Sequence, residues 1–228
     1  MSAVTASTRR LWLAAGWMIL GYVVLTFVGA VFETNVTLGD KPSHVASGLV
    51  SSSMTKAFTG GYIEFIAGMV FLVAVLLVAR LLHGVEDVTG WLSSCISGAT
   101  VVYTAVGVAT GGAAGAAALY NGHHGAPLAV VTTVNDIRNI GFSLSGGIAG
   151  VIVLAVAAAG AVTQLLPRWF SYAGYIVGVV MIAAVPAAKA GAPQTLLWYA
   201  WLVALGVLAL RVPRRATQST HALVPASA

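Results

Sequence analysis

Apolar residues run in long blocks along this chain, and polar residues gather into short gaps between them. Six blocks read as helices, at about 11–32, 61–82, 91–118, 139–166, 170–187 and 194–210. Most lie near the ~20 residues that cross a hydrocarbon layer at 1.5 Å per residue. The fourth block has an ambiguous start, because the apolar pattern reaches back to Leu128. Either that helix projects beyond the bilayer or it begins near Asn135. The longest gap, 34–59, holds Val45, Leu49, Val50, Met54 and Phe58 at near-helical spacing. That spacing predicts a short amphipathic helix lying on the membrane surface.

Small residues punctuate two of the blocks. Gly107, Gly111 and Gly115 recur at every fourth position, and Gly146 and Gly150 repeat the spacing in the next block. Such stripes let helix backbones approach closely, so these five glycines are read as helix-packing positions. Turn residues fill the stretch 120–127, and Pro167-Arg168-Trp169 forms a second tight turn.

Composition turns this pattern into a class. Hydrophobic residues make up 59% of the 228, charged residues only 7%, and the mean hydropathy is +0.93. A soluble domain carries about a quarter charged residues, so this chain has too few to face water. It is expected to be an all-α polytopic bundle of about six transmembrane helices, multi-pass in the plasma membrane, with the lipid bilayer as its first partner. The net charge of +5 comes mostly from arginines that flank apolar blocks. With six spans, Arg9, Arg10, Arg80, Arg168, Arg211, Arg214 and Arg215 fall on one side, and Lys41, Lys56 and Lys189 on the other. The arginine side is expected to be cytoplasmic, which puts the N-terminal residues 1–10 and a disordered tail, 212–228, inside. Arg9-Arg10 loosely resembles a twin-arginine export signal, but the block that follows outruns a signal peptide, so a retained helix is expected. No basic stripe suits nucleic acid. The single Cys95 has no internal disulfide partner.

Scarcity makes the remaining charges informative. Counting about 20 residues from the arginine ends places Glu64 within a turn of the opposite boundary, with Asp136 and Arg138 at that boundary or just beyond. Glu64 shares a helical face with Gly60, Gly61, Ala67, Gly68 and Phe71, so its carboxylate is expected to point into the bundle. A charge near the bilayer centre costs about 2.5–3.5 kcal/mol on insertion scales, and Arg138 is the expected partner. Asp136 and Arg138 diverge on a helix: Arg138 lies with Asn135, Phe142 and Ser145, and Asp136 nearer Asn139. If the helix begins here, Asn135 or Asp136 caps it instead. Glu64, Arg138, Asp136 and Asn139 thus form a candidate polar cluster, read either as a ligand site or as an interhelical clamp. His123 and His124 are weak metal candidates, since adjacent histidines in a turn offer two of the three or four ligands zinc requires. No phosphate loop, nucleophile elbow or zinc-protease motif is present, and no cofactor is expected.

Three stretches in order carry a resemblance: FTGGYIEFIAGMVFLVAVLLVARLLHG, the acid–x–arginine element Asp136-Ile137-Arg138, and LLPRWFSYAGYIVGVVMIAA. Together they resemble a family of small bacterial six-helix membrane proteins catalogued as a domain of unknown function. In that family a glutamate opens the second helix, an Arg-Asp pair opens a later one, and a Leu-x-Pro-Arg-Trp turn leads to the next. Glu64 and Leu166-Pro167-Arg168-Trp169 match that pattern, whereas the charged pair here is reordered and spaced by Ile137. The resemblance covers about the first five spans and implies the architecture without implying an activity.

Three functions follow as expectations. The first is small-molecule binding or transport through an outward-facing polar cluster. The second is a non-catalytic subunit or scaffold that packs on a membrane-protein partner, or on a second copy, through its Gly/Ala faces. The third and least favoured is an enzyme using Glu64 with His123 or His124.

Overall fold

The computed structural model describes residues 6–32, 36, 38–83, 87–187 and 191–221, and no strand occurs among them. Helix α1 spans Ala6–Ala30, α2 Pro42–Ser51 and α3 Met54–Leu82. Helix α4, Asp87–Val106, runs into a π-helical segment at Gly107–Ala114 and on into α5, Gly115–His123. Helix α6 spans Leu128–Thr163, α7 Arg168–Ala183 and α8 Gly191–His221. Five helical stretches are long and apolar enough to cross a membrane: Ser7–Ala30, Met54–Leu82, Gly90–His123, Leu128–Thr163 and Gln194–Arg211. Helix α7 is shorter, at 16 residues.

Proline and serine set the boundaries. Pro42 opens α2, and Pro127 and Pro167 stand as N-caps of α6 and α7, where a fixed φ costs nothing and no amide is lost. The Ser53 hydroxyl caps α3 by accepting from the Lys56 amide. Gln164, at φ 53°, ends α6 in the left-handed conformation.

Glycines set how close the helices come. A Cβ on Gly16 would stand 2.9 Å from the Gly206 carbonyl oxygen, which pins the start of α1 against the end of α8. One on Gly60 would stand 2.9 Å from the Gly29 carbonyl oxygen, which crosses the start of α3 over the end of α1. These antiparallel contacts, with that of Gly174 in α7 against Trp201 of α8, put Arg9, Arg10, Arg80, Arg168 and Arg211 towards one end of the bundle. Between the helices lies a core of Trp12, Ile19, Phe71, Ile152, Phe170 and Leu202. Large apolar side chains also cover the outside, Trp17, Tyr172, Ile176 and Leu196 among them. That distribution suits a lipid solvent and a multi-pass membrane protein.

Two expectations about boundaries change. Helix α6 is one unbroken run of 36 residues, about 54 Å at 1.5 Å per residue. It begins at Leu128, with Pro127 as its N-cap, so the helix starts neither near Asn135 nor at 139. Helix α2 does form in the long gap, and part of its apolar face turns inward onto the bundle, while Val50 stays exposed. Val45 and Leu49 are buried against Ala118 and Leu119 of α5 and Val131 of α6. Leu49 sits over Gly122, where a Cβ would be 3.2 Å away. Lys189 falls outside the described residues. Backbone helix continues to His221, and 222–228 lie outside the described residues.

Candidate functional site

At the end of the bundle opposite the arginines, the helices part around a cavity of about 480 Å³. Its wall brings together Glu64 of α3, Arg138 and Asn139 of α6, Gln194 and Tyr199 of α8, and Thr110 of the π segment. Two glycines seat the charges. Glu64 folds over Gly29, where a Cβ would stand 2.6 Å from its Cγ. Arg138 lies across Gly115, where a Cβ would stand 3.3 Å from both Cδ and Nε. Long charged side chains thus reach the cavity along glycine floors. Glu64 also lies within electrostatic range of the Tyr199 hydroxyl.

Below the charges the wall becomes aromatic. The Tyr22 and Tyr103 hydroxyls are 3.0 Å apart, and Trp198 packs on Tyr103 with ring centroids 5.7 Å apart. The Gln194 amide donates to the Met181 carbonyl oxygen at 2.9 Å, tying α8 to α7. A cavity with apolar walls and a few placed polar groups is the usual form of a small-molecule site, and 480 Å³ is within the usual range.

A second chamber of about 350 Å³ adjoins the first. Arg138, Gly61, Gly111 and Gly112 belong to both walls. Leu49 of α2 and Phe58 of α3 line the second chamber, so these two helices border this part of the polar region.

The sequence-derived cluster is therefore assembled in part. Glu64, Arg138 and Asn139 meet in one cavity, and Arg138, Phe142 and Ser145 share its wall as their spacing predicts. Asp136 lines neither chamber. Nor does it cap a helix, because it sits about two turns inside α6, whose N-cap is Pro127. Asn135 takes the inward place: it is 1% exposed, lines the second chamber, and both of its side-chain amide atoms lack a hydrogen-bond partner among the described residues. Gln194, Tyr199 and the tyrosine pair were not singled out by sequence. Their only signal is a polar or hydroxyl group inside an apolar block.

The glycines separate into two kinds. Gly150 meets the Gly178 carbonyl oxygen at 2.8 Å from its would-be Cβ, and Gly146 lies against the Gln194 side chain. Around Gly107 and Gly111, however, no described residue lies within 4 Å of a would-be Cβ, and both line the first cavity. The close-packed stripe expected at 107, 111 and 115 is instead a cavity wall, with Gly115 as the seat of Arg138. The π segment explains this. Its wider turns rotate the four-residue repeat off a single straight stripe, and such segments recur where helices border functional sites. Thr110 bonds back to the Val106 carbonyl oxygen at 2.8 Å and fills the space left by Gly141.

The histidines lie apart from the cavity. Both are exposed. His123 Nε2 donates to the Ser52 carbonyl oxygen at 2.9 Å, and His124 Nδ1 to the Tyr120 carbonyl oxygen at 2.8 Å. Among the described residues no group of three His, Cys, Asp or Glu side chains converges. No family model, curated protein or solved structure matches this chain.

Proposed function

We propose that this chain binds or transports a small polar molecule in the cavity between Glu64 and Arg138. The supporting observation is the meeting of a carboxylate, a guanidinium and two side-chain amides on one wall of an otherwise apolar 480 Å³ space. Ionisable groups are costly in a membrane bundle, and those that line an interior cavity are by default candidates for a substrate or ion site. Opposite charges on one wall suit an amphoteric solute, one whose cationic group meets Glu64 and whose anionic group meets Arg138.

The proposal includes a topology. Helix α7 serves as the sixth span, and the arginine end faces the cytoplasm of the plasma membrane by the charge rule for short loops. Both termini are then inside, and the cavity opens outward. At about 24 Å, α7 is short for a 30 Å hydrocarbon layer, which local thinning accommodates.

The test is a thermal-stability screen of purified protein against amino acids, betaines and simple amides. A solute that raises the Tm, with the rise lost in Glu64→Gln and in Arg138→Gln, supports the site. Uptake of that solute into vesicles then separates transport from binding. The proposal fails if no solute stabilises the protein, or if stabilisation survives both substitutions.

A further inference from the structure

The second chamber has its own electrostatics. Among the described residues its wall carries one formal charge, Arg138, and no carboxylate, since Glu64 and Asp136 both lie outside it. The rest is apolar or glycine, apart from the Tyr62 hydroxyl and Asn135. An amide buried with no hydrogen bond forfeits its desolvation energy, a loss that native structures seldom keep without a use. Here the orphan amide borders a partly open chamber one helical turn from a guanidinium on the same face of α6.

We propose that the second chamber is an oxyanion site, distinct from the Glu64 cavity, in which Arg138 and the Asn135 amide hold a carboxylate or phosphate group. A guanidinium offers five donors in a planar fork, so it can serve this chamber as well as another contact. The Asn135 amide nitrogen adds donors, and the low dielectric of the walls strengthens both interactions. Leu49 of α2 covers the chamber, so the anion enters from the end of the bundle opposite the arginines, beneath that helix. The oxyanion can come from a free solute or from a lipid headgroup, since the recognised group is the same.

The test uses the full chain in a maltoside detergent, which carries no anion. Sodium acetate and inorganic phosphate are titrated against chloride at matched ionic strength, and phosphatidylglycerol is added in a separate arm. Wild type is expected to gain about 2–4 °C in Tm with at least one oxyanion probe. A response to acetate or phosphate assigns a free solute, and a response to phosphatidylglycerol alone assigns a lipid headgroup. Asn135→Leu is expected to abolish the gain while leaving the anion-free Tm equal or higher, because an apolar replacement removes the orphan amide. A purely structural asparagine would show the reverse. Should Asn135→Leu not fold, the same-sized Asn135→Asp decides, since its charge repels the anion and the gain must vanish. The inference is overturned if no oxyanion shifts the Tm, or if the shift survives at Asn135. A shift lost in Gln194→Leu but kept in Asn135→Leu places the anion in the first cavity, which overturns this site and leaves the earlier reading standing.

Discussion

Arg138 lies across Gly115, with its Cδ and Nε both 3.3 Å from where a Cβ would be. This one contact aims the guanidinium at two chambers, because a glycine on α5 leaves room for the arginine stem from α6. Gly115→Ala should be tolerated, since the neighbour is the far end of a flexible side chain. Gly115→Leu should displace the guanidinium and abolish solute stabilisation, while the ligand-free Tm falls only modestly. Equal solute response in both variants would show that Arg138 does not need this seat.

How much of this arrangement the chain reveals depends on the residue. Glu64 and Arg138 can be brought to one level by counting along spans, because apolar blocks fix depth well. Asn139 follows from helical spacing. Asp136 and Asn135 exchange roles because the cap reading depends on a helix start, and Pro127 moves that start about two turns upstream. Each residue turns a helix by about 100°, so adjacent residues on one unbroken helix present different faces. Gln194 and Tyr199 are hidden for another reason. Their polar atoms meet the site only through contacts between helices distant in sequence. The π segment is hidden as well, since a glycine at every fourth position reads as a packing stripe whether or not a helix lies against it.

Glycine substitutions should therefore split by environment. Gly60→Ala and Gly150→Ala press a methyl group to within 2.9 and 2.8 Å of a carbonyl oxygen on a neighbouring helix. Backbone cannot rotate away, so each should cost about 1–3 kcal/mol, seen as a lower Tm. Gly107→Ala and Gly111→Ala meet nothing within 4 Å and remove a flexible residue from a helix. Each should be neutral or stabilise by up to about 1 kcal/mol. A large loss at Gly107 or Gly111 would mean that the wall is closed in the membrane.

A double-substitution cycle separates a ligand site from a clamp between α3 and α6. If Glu64 and Arg138 serve a solute, Glu64→Gln and Arg138→Gln each abolish its stabilisation and change the ligand-free Tm little. If they only dock the helices, each single variant lowers the ligand-free Tm, and the double variant costs no more than either. The first pattern is expected, because both side chains line the wall of a cavity large enough for a small solute.

His123 fastens the cover. Its Nε2 donates to the Ser52 carbonyl oxygen at 2.9 Å, joining the end of α5 to the link between α2 and α3. The bond is exposed, so removing it should cost only about 0.5–1.5 kcal/mol. Its effect should be local, because Val45 and Leu49 still bury α2 against α5 and α6. His123→Ala should accelerate amide hydrogen exchange across 42–53 several-fold while the helices of the main core keep wild-type protection. Faster exchange there should also speed the on-rate of any anion entering beneath α2, leaving the first cavity's solute response unchanged. Unaltered exchange in 42–53 would show that the apolar contacts of α2 hold the cover without the histidine.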